Sequence, residues 1–259
     1  MKKQEKISFS LIAHNEEQNI GRCMQSIKWA DEIILIDCAS TDRTVPIAKK
    51  YTKKIFHRKN DANLNINKSF GISKTKNKWV FYIDPDEQVT PSLKREILSV
   101  LKNDQDCNAF KIPRKNFYIF RFLKHGGNYP DYQVRLFKKD KAEFPNRHVH
   151  EKLHVKGKTG KLNSPFNHYP YSSIKEYIQK LNFYTSFQSK FWFDAGVRTN
   201  MIKLLFFIFF RSNFMFIKKY FLKLGFLDGL AGLFAALGHS ATYIISNFKL
   251  YELLNKKRE

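Results

Sequence analysis

Three short apolar runs, each followed by a stretch of a different periodicity, constrain this chain more than any other feature. Ile7 to Ala13 reads as a short strand, Glu32 to Asp37 as a second, buried one, and Trp79 to Ile83 is apolar on both faces and rich in aromatic and β-branched residues. That is the pattern of strands buried on both sides in a parallel sheet. A further strand is expected near Lys54 to His57. Between these runs the period changes to that of a helix. Glu17 to Ile27 places Ile20, Cys23, Met24 and Ile27 on one face. Ser40-Thr41-Asp42 offers N-cap chemistry for a helix running to about Tyr51. Leu64 to Lys74 and Pro91 to Lys102 complete the helical set. Strand and helix alternating at this spacing predict an α/β fold with a mainly parallel sheet and right-handed crossovers.

Asp84-Pro85-Asp86-Glu87 follows the last of those runs directly. Carboxylates at the carboxyl end of a buried strand project into the crevice where open α/β sheets bind ligands. Two of them, two residues apart, suit Mg²⁺ or Mn²⁺ carrying substrate phosphates. A solvated acidic turn capping the helix after Pro91 is the plainer account of the same residues. Asp37, at the end of the second strand, can accept a hydrogen bond from an imide N–H of a base, or cap its own turn through Ser40.

Beyond Lys102 the pattern changes again. Ala109 to Phe120, Gln133 to Phe137 and Leu153 to Val155 read as short strands between Gly, Pro and Asn turns. This middle segment carries Asp131, Arg135, His148, His150, Glu151 and His168. From Ser173 the chain turns helical. Leu204 to Phe210 is continuous and apolar but short of the ~20 residues a spanning helix needs. Leu224 to Ile245 is long enough, yet it carries Asp228 and His239, and intramembrane charge is costly. Arg211, Lys218, Lys219 and Lys223 among Phe and Leu fit an amphipathic helix lying in a membrane interface. Packing against protein and spanning are the alternatives.

The net charge of +23, from 46 Lys and Arg against 23 Asp and Glu, favours a polyanionic partner. Nucleic acid is one such class. The tail's Phe residues, however, form apolar blocks instead of alternating with Lys on a stacking surface. An anionic membrane surface fits better. Cys23, Cys38 and Cys107 are widely spaced and odd in number, which suggests neither a disulfide framework nor zinc and favours a reducing, cytoplasmic setting. Met1-Lys2-Lys3 resembles a signal n-region, but His14-Asn15-Glu16-Glu17 ends the next apolar run early, so no signal peptide is expected.

Several segments together carry a family resemblance. Ile12-Ala13-His14-Asn15-Glu16-Glu17 and Leu35-Ile36-Asp37-Cys38-Ala39-Ser40-Thr41-Asp42-Arg43-Thr44 resemble the opening of family 2 glycosyltransferases, and Asp84-Pro85-Asp86-Glu87 falls where that family has its D-x-D motif. Tyr129 to Phe137, Val149-His150-Glu151 and Gly225-Phe226-Leu227-Asp228-Gly229 are similar to the bacterial subgroup that adds sugars to lipopolysaccharide core, in the manner of β-1,4-glucosyltransferases. The resemblance implies the GT-A fold, with a Rossmann-like sheet over 1–172 (a nucleotide-binding half to about 105 and an acceptor half from 106) and a helical, membrane-associating region over 173–259. It implies inverting transfer from a nucleotide-diphosphate sugar to a lipid-linked acceptor, by an enzyme peripheral on the inner face of the cytoplasmic membrane. The same catalytic domain also serves transfer to polyprenyl phosphate.

By position in that family, Ala13, Asn15, Glu16, Asp37, Lys68 and Asp84 would line the nucleotide, and Asp84, Asp86 and His168 would serve the metal. For the general base Glu151 competes with Asp131, which can instead orient the acceptor sugar. Arg135 and His150 are expected near the acceptor or a phosphate, Arg135 alternatively in a structural ion pair. The chain departs from the family pattern at Pro85, where a small residue is commoner, and at Cys38-Ala39, where Ser-Gly is frequent.

Overall fold

A computed structural model describes residues 5–61, 63–103, 106–119, 121–145 and 152–256. Two compact units are present, one of Met1–Arg114 with Asp131–His168 and one of Lys115–Pro130 with Tyr169–Glu259. The short segment 115–130 therefore groups with the helical residues near the C-terminus, not with the strands on either side of it.

In the first unit the apolar runs form strands β1 (Ile7–Ala13), β2 (Glu32–Asp37), β3 (Ile55–His57) and β4 (Trp79–Ile83). They alternate with helices α1 (Ile20–Ile27), α2 (Thr44–Ala48) and α3 (Leu64–Lys74). The order β3-β2-β1-β4 is parallel throughout, with Phe9 paired to both Ile33 and Phe81 in register. Every residue of β1 and β2 is buried, and among the polar ones Ser8 Oγ donates to Glu32 Oε2 across the pair. The Phe9 and Phe81 rings stack at 4.8 Å, and Trp29 meets Phe9 edge-on at 5.5 Å. Offset and edge-on geometries of this kind add to the burial of the rings themselves.

The chain then leaves the parallel pattern. Strand β5 (Glu87–Val89) starts directly after the acidic turn, and helix α4 (Pro91–Lys102) follows, its N-cap supplied by Thr90 accepting from Leu93 N–H at 3.2 Å. The acidic tetrapeptide does not cap α4; Thr90 and Pro91 do that work. Strands β6 (Ala109–Tyr118), β7 (Arg121–Phe122), β8 (Asp131–Lys138), β9 (Ala142–Glu143), β10 (His154–Val155), β11 (Thr159–Lys161) and β12 (Phe166–His168) complete the set. Strand β8 pairs antiparallel with β4 and with β6, and β12 antiparallel with β5, so the sheet continues as β4-β8-β6-β12-β5. The fold is mixed α/β, parallel where the helices alternate and largely antiparallel beyond. Helix α2 starts where Asp42 accepts from Thr44 N–H at 2.9 Å and ends at Ala48, three residues before the expected Tyr51.

The second unit holds the last residues of β6 from Lys115 with their partner β7, and helices α5 (Ile174–Asp194), α6 (Met201–Phe206), α7 (Ser212–Ile217) and α8 (Gly229–Lys256). Wider π-helical turns at Phe207–Arg211 and Lys218–Leu222 carry α6 into α7 and beyond. Asp228, 1% exposed, accepts from both the backbone N–H (2.8 Å) and the Nδ1 (2.9 Å) of His125. That pair ties the 115–130 segment to the start of α8. Helix α5 packs on α8, where Gly238 leaves room for the Tyr177 hydroxyl. Gly225–Lys256 is long and apolar enough to cross a membrane by length and composition, with 39% of its most apolar stretch buried against the protein.

Helix α3 lies tight on the parallel strands at Gly71, where an added Cβ would stand 2.5 Å from Ser10 Oγ and 3.0 Å from Ile36 Cγ1. Gly71→Val is therefore expected to lower unfolding stability by about 1–3 kcal/mol through overpacking. Urea denaturation reads this directly, and an unchanged midpoint would show that α3 does not sit on β1 and β2.

Candidate active site

Where β4 ends, Asp84 to Glu87 form a tight turn closed twice. Glu87 N–H donates to the Asp84 carbonyl at 3.0 Å, and Asp84 N–H donates to Glu87 Oε2, also at 3.0 Å. Proline is favoured at the second position of such a turn, where its fixed φ suits the chain and its missing N–H is not needed. Pro85 therefore fits the loop it occupies. The thiol of fully buried Cys23 donates to the Asp84 carbonyl at 3.6 Å. Burial, reinforced by the carboxylates of Glu87 and Asp86, pushes that thiol well above its ordinary pKa and keeps its proton in place.

Behind the turn runs a chain of alternating charges. Lys68 of α3 reaches Asp84 Oδ1 at 3.1 Å. Arg135 of β8 reaches Asp84 Oδ2 at 3.0 Å and Glu87 Oε1 at 2.5 Å through one nitrogen, Nη2. Arg114 of β6 lies 3.8 Å from Glu87 and 2.7 Å from Asp131 Oδ2, and Gln133 donates to Asp131 Oδ1 at 2.6 Å. Arg135 is 3% exposed, and its guanidinium lies 4.1 Å from the centre of the Tyr82 ring. Its Nε and Nη1 are buried without a hydrogen-bond partner, so the Tyr82 face and the two carboxylates carry its stabilisation.

Protonation follows from these contacts. Burial alone would raise the Asp84 pKa, but Lys68 and Arg135 hold it well below the usual carboxylate range. Glu87, fully buried, is pushed up by desolvation, with Arg135 opposing and Asp84 adding to the rise. Lys68 and Arg135 are both driven upward despite their own burial, Lys68 chiefly by Asp84 and Arg135 chiefly by Glu87.

At the rim stands a different pair. His168 Nε2 lies 3.4 Å from Asp86 Oδ2, with the two side chains 16% and 19% exposed. Antiparallel pairing of β12 with β5 puts His168 opposite Glu87 and so beside Asp86. Both Asp84 oxygens face cations, whereas Asp86, which among the described residues pairs with no lysine or arginine, and His168 are the metal-type donors. Among the described residues no group of three His, Cys, Asp or Glu is close enough to hold a metal by itself.

The loops expected to line a nucleotide are clamped together. Ala13 ends β1, and its carbonyl accepts from Cys38 N–H at 2.7 Å. Asn15, at φ +54°, accepts from Thr41 N–H at 2.8 Å, and Glu16 N–H donates to Thr44 Oγ1 at 2.7 Å. Asp37 is 3% exposed and accepts from Ser40 N–H at 3.2 Å while His57 Nδ1 stands 2.9 Å from its other oxygen. Ala39 holds φ +58°, a left-handed conformation that favours glycine, which accounts for the Gly frequent there in the family. Helix α3 joins the two strand ends. Asn67 Nδ2 contacts Cys38 Sγ at 3.3 Å, and its neighbour Lys68 reaches Asp84.

Glu151 and His150 lie outside the described residues. Glu87 and Arg114, to which sequence reasoning gave no role, are central to the charge chain. Arg114 is legible only through its register partner Asp131, seventeen residues along the chain.

The model of glycosyl transferase family 2 matches residues 8–162. An uncharacterized glycosyltransferase of Rickettsia typhi is 29% identical over 266 residues, covering 98% of this chain and 89% of that one. The lipopolysaccharide core biosynthesis glycosyltransferase LpsC of Rhizobium meliloti is 23% identical, covering 95% of this chain and 92% of its own length. Among solved structures, residues 1–349 of S. aureus TarS superpose with a TM-score of 0.46 at 13% identity, over 98% of this chain and 92% of that one.

Replacing Arg135 with leucine leaves Glu87 buried without the cation it faces at hydrogen-bond distance, while Asp84 keeps Lys68, and the expected loss is about 3–5 kcal/mol in urea denaturation. The Asp84 contribution also has a defined pH window. Its folded pKa is depressed, so the stability it adds is present above the unfolded value near 3.9 and is lost as pH falls through the folded value. Asp84→Asn should cost stability at neutral pH and progressively less below about pH 4. A penalty that stays constant into acid would contradict the assignment.

Proposed function

Because this chain belongs to glycosyl transferase family 2, we propose that it moves a hexose, with inversion, from a nucleotide-diphosphate sugar to a lipid-linked glycan such as lipopolysaccharide core. The observation that carries this reading is the Asp86–His168 pair, held at the end of β4 by a buried charge chain. The likeness to LpsC supports the acceptor class.

The chemistry divides among the residues as follows. The loop at Ala13, Asn15 and Glu16, together with Asp37, borders the nucleotide. Lys68 and Asp84 fix the turn against which the donor lies. The Asp86 carboxylate suits Mg²⁺ or Mn²⁺, ions that keep open positions for diphosphate oxygens, and the His168 imidazole beside it fits the softer Mn²⁺ better than the oxygen-seeking Mg²⁺. Asp86 and His168 would hold such an ion, which when bound offsets charge on the departing diphosphate. Glu151 takes the proton from the acceptor hydroxyl as its oxygen bonds to the anomeric carbon and the bond from that carbon to the diphosphate breaks. Asp131, fixed by Arg114 and Gln133, and His150 orient the acceptor. Arg135 works behind them, holding the carboxylates of the turn.

The second unit supports a site of action at the inner face of the cytoplasmic membrane. Ile202, Phe206, Phe209, Phe210, Phe214 and Phe221 are all exposed on the helical stretch 201–222. From Ala195 to Leu227 the chain has no acidic residue but carries Arg198, Lys203, Arg211, Lys218, Lys219 and Lys223. Apolar bulk beside unneutralised cations is the make-up of an interfacial anchor on anionic lipid.

A nucleotide-sugar panel with Mn²⁺ or Mg²⁺ should raise the melting temperature for the true donor, since a ligand at a hundred times its Kd adds about 2.7 kcal/mol. Asp86→Ala should abolish the metal-dependent part of that shift. Glu151→Gln should keep the shift and lose roughly 10²–10⁴ in kcat. If no nucleotide sugar stabilises the protein and Asp86→Ala changes nothing, the reading fails. Near-full activity of Glu151→Gln would instead point to polyprenyl phosphate as acceptor, because a phosphate nucleophile needs no protein base.

A further inference from the structure

The second unit contains a cavity that sugar transfer does not use. It measures about 610 Å³ and lies among the C-terminal part of α5, the loop after it, helix α6 and helix α8. Its walls are mostly apolar and include Trp192, Phe206 and Tyr243. Arg198, Lys203 and Arg211 stand among them. A second cavity of about 500 Å³ shares Arg198, Thr199 and Lys203 with the first.

Among the described residues Arg198, Lys203 and Arg211 form no ion pair. The nearby carboxylates are engaged elsewhere, Asp194 by Lys190 and Glu252 by Lys256. Arg211 lies 5.4 Å from the Phe207 ring centre and 5.6 Å from that of Tyr243, contacts that hold a guanidinium in place without cancelling its charge. The nearest polar contact of Arg198 is the Val197 carbonyl at 3.3 Å. Thr199 Oγ1, on the wall common to both cavities, is buried without a hydrogen-bond partner. A buried hydroxyl left unpaired beside three cations is a donor set lacking its acceptor.

We propose that this cavity binds the phosphate headgroup of an anionic membrane lipid, with the lipid's chains against its apolar walls. Charge complementarity and continuity both argue for that occupant. Arg198, Lys203 and Arg211 suit a phosphate, while Ile202 and Phe206 belong at once to the cavity wall and to the exposed apolar face of the helix. A soluble anion would use the cations and leave the aromatic walls idle. The inference rests on the membrane-surface part of the reading above and makes it specific, from general attraction to anionic lipid to one built site.

Trp192 supplies the readout, with Trp192→Phe identifying its share of the emission. Dihexanoyl phosphatidic acid below its critical micelle concentration should change Trp192 fluorescence saturably in the full-length chain. Dihexanoyl phosphatidylcholine and inorganic phosphate should do so far more weakly. Each removed cation should weaken binding roughly fivefold, so that Arg198→Gln, Lys203→Gln and Arg211→Gln together cost about a hundredfold. The pair Arg198→Lys and Arg211→Lys should retain most of the binding, which separates lost charge from lost fold. An equal response from the triple variant, or from inorganic phosphate alone, would overturn the proposal. Sedimentation with phosphatidylcholine vesicles containing phosphatidic acid tests the membrane reading separately. A response to the soluble lipid without vesicle binding would support the cavity and sink that reading.

Discussion

Arg135 is the hinge of the electrostatics in the first unit. Through one nitrogen it faces Asp84 and Glu87, which stand at the two ends of the turn leaving β4. Its own strand, β8, is the first antiparallel neighbour of the parallel sheet. The pair of ion contacts therefore fastens the acidic turn across the seam between the two halves of the sheet. A buried guanidinium with two unpaired nitrogens is costly to maintain, and the two carboxylates with the Tyr82 ring face offset that cost. Such an arrangement is a weak way to gain stability but an effective way to fix geometry. Its effect here is to hold a loop in which Glu87 is sealed from solvent while Asp84 and Asp86 stay partly exposed.

What could be read in the sequence follows from how local each signal is. β1, β2, α3, β4 and α4 announce themselves within their own windows, through two-sided apolar runs and helical spacing, and they appear where those patterns put them. β5 is three residues long and hidden beside the acidic turn, too short for any period to show. The antiparallel half depends on partners far apart in sequence. That Phe81 stands opposite Leu136, and therefore that Arg135 can reach Asp84, is a property of pairing and not of either segment alone. The same holds in the second unit. Asp228 sits in a recognisable Gly-rich motif, but its partner His125 lies 103 residues away, and nothing local in 115–130 reveals that this segment belongs with the helices.

The acidic cluster illustrates the same limit at finer scale. As a string it offers three interchangeable carboxylates. The structure makes them unequal through burial and partners. Glu87 is sealed from solvent against Arg135, Asp84 is shared between Lys68 and Arg135, and Asp86 turns toward His168. Composition could not have assigned these roles, because the cations that divide them come from α3 and β8.

This division has a consequence for the chemistry of the turn. A carboxylate held between two cations and depressed far below its ordinary pKa stays ionised at any pH at which the protein works. Its charge is already answered, so it attracts an incoming cation less than a free carboxylate would. Asp86, facing an imidazole and not a lysine or arginine, has no such obligation. Asp84 and Glu87 are therefore committed to cations of the fold, and Asp86 is the carboxylate of the turn whose ion-pair partner is an imidazole.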